Sequence, residues 1–270
     1  MVLGIVPRGE NVHLKFGLLY HQALEYHDRL VCQGVKSYTL RARMVCRYVL
    51  AHSWGWESDH KLKNRTNLVR AVMGYVDHFK TDVTKTVTLA NGQAAVELSF
   101  RFETDYKTPW GDPFMLCGHL DRIADLGDDE FVFDRKTTTK AFITDYIDTF
   151  KPSGQMMQYT FGAKVGFHPD VQGVIIDACY ISTNLDDYGR FRVSYTKDQI
   201  SEWYENTQYY ISMAVLHVKA QKWPQNFESC HIYSGCPYRP ICGRDPAVRE
   251  RFIKADYESV VWDPLVIREE

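Results

Sequence analysis

The 270-residue chain is poor in the features that settle a protein class at sight. No apolar run approaches the ~18 residues of a membrane span, which argues against a helical membrane protein. The opening MVLGIVPRGENVH turns polar at Arg8, unlike a secretory signal. Net charge is scarce: 32 Lys and Arg against 34 Asp and Glu leave -2, so any nucleic acid must be held by a local basic patch. Internal repeats, low-complexity stretches and an obvious linker are missing as well. One domain over 1–270 is therefore the economical reading, in a reducing cytoplasm and without a membrane partner.

What is present is patterned. Apolar residues recur at helical spacing in Leu14–Leu30, Tyr38–Ser53 and Leu62–Phe79, giving a helical N-terminal portion over 14–80. The period then switches. Val83–Leu89 and Ala94–Phe102 read as strands joined through Asn91-Gly92, and Met115–Leu126 and Glu130–Thr138 as strands joined through Gly127-Asp128-Asp129. Helices are expected over 140–148, 153–165 and from Lys197 to Gln221, and strands over Val171–Ser182 and Arg190–Tyr195. A core over 83–221 is followed by a loop-like tail over 225–245, punctuated by Gly and Pro.

The second strand pair carries the chemistry. A turn centred on Asp128-Asp129 opposes Gly127 to Glu130, Asp121 to Lys136 and Ile123 to Asp134. Alternation then puts Asp121, Asp134 and Lys136 on one face, with the two carboxylates as diagonal neighbours roughly 7–8 Å apart. Both could reach one cation, with Lys136 beside them. The run Phe131-Val132-Phe133 suggests a strand covered on both sides, and buried paired carboxylates are costly unless a cation neutralises them.

Gly118-His119-Leu120-Asp121-Arg122 followed by Phe133-Asp134-Arg135-Lys136-Thr137 resembles the paired motifs of the PD-(D/E)XK nuclease superfamily, most closely its RecB-like, phage-type exonuclease branch. Phe16 to His21 resembles that branch's upstream helix, and Gln155-Met156-Met157-Gln158-Tyr159 its Gln-x-x-x-Tyr helix. Singly each motif is weak; four in order are specific. The resemblance implies an α/β fold with a mixed sheet flanked by helices. It also implies a divalent-metal-dependent deoxyribonuclease, an exonuclease acting in phage or bacterial DNA recombination, replication or repair. The implied metal ligands are His21, Asp121, Asp134 and the backbone carbonyl of Arg135, with Lys136, Gln155 and Tyr159 completing the catalytic set. An oxygen-rich set with one imidazole suits Mg²⁺ or Mn²⁺. The rival reading is a catalytically silent nuclease-fold module that binds DNA or a protein. Glu97, on the strand before the hairpin, and His119, two residues before Asp121 on the same face, are left outside the site.

Cys230, Cys236 and Cys242 do not have zinc-finger spacing. In the resembled branch, three C-terminal cysteines join one upstream of the histidine motif to hold a [4Fe–4S] cluster. Here no cysteine precedes His21. Either the upstream segment is absent from this chain, or Cys32, Cys46 or His231 substitutes, or no cluster forms. The abrupt start favours a missing segment, with zinc as the second-choice occupant and three free cysteines in a loop as the plain alternative.

Overall fold

A computed structural model describes residues 4–142 and 144–260. Contacts divide the chain into two compact units. One is made of 11–102 and 116–206, the other of the described parts of 1–10, 103–115 and 207–270.

Strand β1 is Ile5–Pro7, and helices α1 (Val12–Cys32), α2 (Tyr38–His52) and α3 (Arg65–His78) follow it. Each helix starts at a side-chain cap: Asn11, Ser37 and Asn64 accept from backbone N–H groups that the first turn leaves unpaired. Phe16, Leu19, Tyr20, Ala23 and Leu24 make the buried stripe of α1, packed against Leu68, Ala71 and Val72 of α3. Burying each large side chain in this stripe contributes ~1.5–3 kcal/mol relative to leaving it exposed.

Strands β2 (Lys85–Thr86), β3 (Val96–Lys107), β4 (Pro113–Leu126) and β5 (Asp129–Thr138) come next, then helices α4 (Thr144–Asp148) and α5 (Gly154–Gly166). Strands β6 (Val171–Tyr180) and β7 (Asp187–Val193) lead into helix α6 (Lys197–Ala220). Of the helix expected over 140–148, Ile143 lies outside the described residues and α4 covers the last five. The sheet is mixed, ordered β2-β4-β5-β6-β7, with β3 also on β4. Strands β4 and β5 are antiparallel, β5 and β6 parallel, and β6 and β7 antiparallel.

The register of the β4–β5 hairpin differs from the expected one by two residues. Leu126 pairs with Asp129 and Arg122 with Phe133, so the loop is Gly127-Asp128 alone. Gly127 has φ +72°. A two-residue hairpin loop needs a left-handed residue at its first central position, and glycine adopts it without steric cost. The shift is even, so no side chain changes face.

The two faces of the sheet are covered differently. Val132 of β5 and Val174, Ile176 and Ala178 of β6 pack with Met156 and Ala163 of α5. Cys179 and Ile181, at and beyond the end of β6, join the core of α1–α3. Even-numbered residues of β5 and β6 thus look toward α5, and odd-numbered ones near the strand ends toward the helical bundle.

In the other unit, the tail is not the loop expected over 225–245. It forms a 3-10 helix, Phe227–Ser234, and the short helices α7 (Arg239–Cys242) and α8 (Pro246–Asp256). Strand β8 (Tyr257–Ser259) then pairs antiparallel with β1. The tail is ordered without a large core. The rings of Tyr238 and Tyr257 stack 5.9 Å apart. The Tyr238 hydroxyl donates to the Ile5 carbonyl and the Tyr257 hydroxyl to the Pro237 carbonyl, both at 2.6 Å.

Candidate active site

The β4–β5 ladder ends at Arg122↔Phe133, and Asp121 stands just past it, level with Asp134. There its side chain replaces the missing backbone partner: the Arg135 N–H donates to Asp121 Oδ2 at 2.7 Å. Asp121 Oδ1 lies 3.2 Å from Nδ1 of His21, which α1 supplies. Across from it, Lys136 Nζ sits 2.8 Å from Asp134 Oδ2 and 2.9 Å from Oδ1. Lys136 also donates to Gln155 Oε1 at 3.3 Å, and Gln155 Nε2 to the Tyr159 hydroxyl at 3.1 Å. Gln155 and Tyr159 are one turn apart on α5, so one helical face presents both. Ser153 caps that helix by accepting from the Met156 N–H.

These residues form two linked sets, His21–Asp121 and Asp134–Lys136–Gln155–Tyr159. The Arg135 peptide takes part through its N–H.

The two carboxylates differ electrostatically. Burial works against ionising Asp121, but His21 and Arg135 outweigh it and hold the carboxyl below its usual range. Asp134 is shifted upward: burial dominates, Lys136 only partly offsets it, and the Asp121 charge adds to it. His21 is raised, burial being overcome by its attraction to Asp121. The Tyr159 phenol is pushed up by burial and by Asp134 and Asp121.

Glu97, which sequence reasoning left aside, belongs to this neighbourhood. Its carboxyl is pushed up to about 7 by the protein enclosing it and by the charges of Asp121 and Glu25, although the residue as a whole is exposed. Its backbone stands at φ +53°, a conformation that non-glycine residues adopt at a cost of ~1–3 kcal/mol and often near functional sites. The only sequence signal was an acid on the strand preceding the motif hairpin. His119 instead bonds Ser99 Oγ through Nδ1 at 2.8 Å.

A match to the family model of the PD-(D/E)XK nuclease superfamily covers residues 2–243. The chain belongs to this superfamily. No curated protein matches. Among solved structures the chain is similar to one described as "Crystal structure of SSO0001", at 16% identity, covering 63% of this chain and 66% of that one with a TM-score of 0.31. The chain thus spans just under two thirds of that structure's length.

PD-(D/E)XK nucleases typically use Mg²⁺ or Mn²⁺, and the residues present suit such an ion chemically. Asp121 and Asp134 supply hard oxygen donors and His21 a nitrogen. Asp134 Oδ2 is buried and, although close to Lys136, has no well-aligned hydrogen bond, leaving acceptor capacity for a cation. His21 and Lys136 engage the carboxylates directly, and among the described residues no group of three His, Cys, Asp or Glu is closed around a common point.

Cys230, Cys236 and Cys242 are free thiols and form no metal-holding group among the described residues. Cys230 and Cys236 are tied through the backbone, the Cys236 N–H donating to the Cys230 carbonyl at 3.1 Å. A cubane cluster requires four ligands, one more than these three thiols supply.

Proposed function

We propose that the protein is a Mg²⁺- or Mn²⁺-dependent deoxyribonuclease of the RecB-like branch, an exonuclease serving phage or bacterial DNA recombination, replication or repair in the cytoplasm. The observation that carries this reading is the pair of carboxylates, buried Asp134 and partly buried Asp121, with Lys136 on Asp134. His21, Asp121, Asp134 and the Arg135 carbonyl would hold the ion. When bound, it would polarise the scissile phosphate and lower the pKa of a water. Lys136 orients the attacking water and offsets charge developing on the phosphate, work that a fixed ammonium beside a carboxylate can do. Gln155 positions Lys136 and, with Tyr159, the DNA strand. With so little net charge, DNA is gripped through local basic groups, so binding weakens as salt rises. Among the described residues no helix is long and apolar enough to cross a membrane.

Digestion of end-labelled linear and of circular DNA, with Mg²⁺, Mn²⁺ or chelator, tests the proposal. Metal-dependent loss of linear DNA is expected, with circles spared and Asp134→Ala inactive. Cleaved circles would replace the exonuclease with an endonuclease. Salt-sensitive DNA binding without cleavage in either metal would favour the silent module.

A further inference from the structure

Arg135 lies between the two charged motif residues, yet its side chain leaves them. Asp134 and Lys136 look toward α5, while Arg135 enters the opposite layer, where only 1% of it is exposed. Its guanidinium bonds Asp28 of α1, itself 5% exposed, and Arg122 of β4 lies 3.8 Å from the same carboxylate. Arg135 Nε has no acceptor. Apolar side chains of similar volume often hold two layers as well as a buried ion pair does, so adhesion alone does not account for this cluster.

Its connections along the chain do. Asp28 follows His21 by seven residues, two turns on the same side of α1. Arg122 adjoins Asp121, and Arg135 adjoins both Asp134 and Lys136. Each charge is therefore tethered to a different part of the site. Fixing Asp28 against Arg135 sets the height and rotation of α1, and with it the 3.2 Å approach of His21 to Asp121. The same contact anchors the residue whose N–H holds the other Asp121 oxygen. The next odd-numbered residue repeats the device: Lys63, ahead of α3, donates to Thr137 Oγ1 at 2.8 Å.

We propose that the buried cluster of Asp28, Arg135 and Arg122 registers α1, β4 and β5 so that His21 reaches Asp121 and Asp121 stands level with Asp134, making Asp28 and Arg135 positioning residues for DNA hydrolysis. The inference rests on the nuclease reading. Two variants of the full chain test it. Asp28→Asn keeps an acceptor for Arg135 but loses the charge, and the double variant Asp28→Leu/Arg135→Met replaces the pair with apolar side chains. Steady-state digestion of linear DNA, Mn²⁺ binding by calorimetry and thermal unfolding are read on each. Both variants should unfold cooperatively, with KM for DNA within about twofold of the parent and with kcat and Mn²⁺ affinity each lower by ~10–100-fold, the usual effect of removing groups that orient metal ligands. A cooperatively folded variant with parental kcat and Mn²⁺ affinity overturns the proposal. A parent protein that binds Mn²⁺ without digesting DNA defeats the nuclease reading instead, and the Mn²⁺ measurement still decides whether the cluster positions the ligands.

Discussion

The two faces of β5 carry charge on opposite terms. Toward α5, Asp134 has a neighbour of like charge in Asp121, an oxygen without a well-aligned hydrogen bond, and an upward-shifted carboxyl. Toward the helical bundle, Asp28 is buried just as deeply, but Arg135 and Arg122 overcome that burial and hold its carboxyl well below the usual range. One strand thus places under-compensated negative charge where a cation and a phosphate can approach, and compensated charge where only protein packs. A perturbed carboxylate marks a functional site when its own neighbours leave it unsatisfied; fully paired, it more often marks architecture. Further along, Asp177 of β6 belongs to the compensated class, bonded by the Tyr75 hydroxyl and 3.4 Å from Arg190.

The largest effect should come from the compensated face. Asp28→Ala leaves two guanidinium groups buried without their carboxylate, and breaking a buried pair in this way costs about 3–5 kcal/mol. Because the folded pKa of Asp28 is depressed, its contribution is complete above the unfolded value and is lost as pH falls below about 4. Unfolding measured from pH 7 to pH 3 should show the gap between parent and variant narrowing in acid. A gap that stays constant through that range would mean that the Asp28 charge contributes nothing beyond its volume.

On the other face the balance should reverse. Lys136→Ala removes the cation from Asp134, which can answer by taking up a proton, so the thermal midpoint should move little. DNA digestion should fall by about 10²–10³-fold, the usual cost of removing a group that stabilises transition-state charge. If the variant melts much earlier yet digests DNA near the parental rate, Lys136 is architecture and the contrast between the faces collapses.

Some of this contrast was legible in the sequence and some was not. Helical spacing located α1 to α3 to within a few residues, and strand alternation put Asp121, Asp134 and Lys136 on one face. The register was displaced because Gly127-Asp128-Asp129 offers two turn centres, and only the left-handed glycine distinguishes them. Since the displacement was even, the face assignment survived while the opposition changed. The other half was hidden. Asp28 sits between His27 and Arg29, where any helix reads as solvated, and Arg135 looks like one more surface base beside a lysine. Burial of both follows from tertiary contacts spanning 107 residues, which no local pattern records. For the same reason three-residue strands paired across almost the whole chain, β1 and β8, gave no signal.

The smallest expected effect probes where the catalytic face ends. Gln155 is exposed, and its bond to Lys136 is long at 3.3 Å, so Gln155→Ala should change stability by no more than about 0.5 kcal/mol. Its acceptor oxygen nevertheless gives the ammonium a further partner beside Asp134, and the Tyr159 hydroxyl in turn fixes the amide. Without it Lys136 keeps only its contacts to Asp134, and its ammonium is less well oriented toward a water or phosphate. Digestion should slow by about tenfold, in kcat more than in KM, as when an orienting partner is removed. Gln155→Glu, which restores an acceptor with added charge, should recover part of that loss through Lys136. A drop as deep as that of Lys136→Ala would place Gln155 among the groups that contact the reacting phosphate, and move the boundary of the face onto α5.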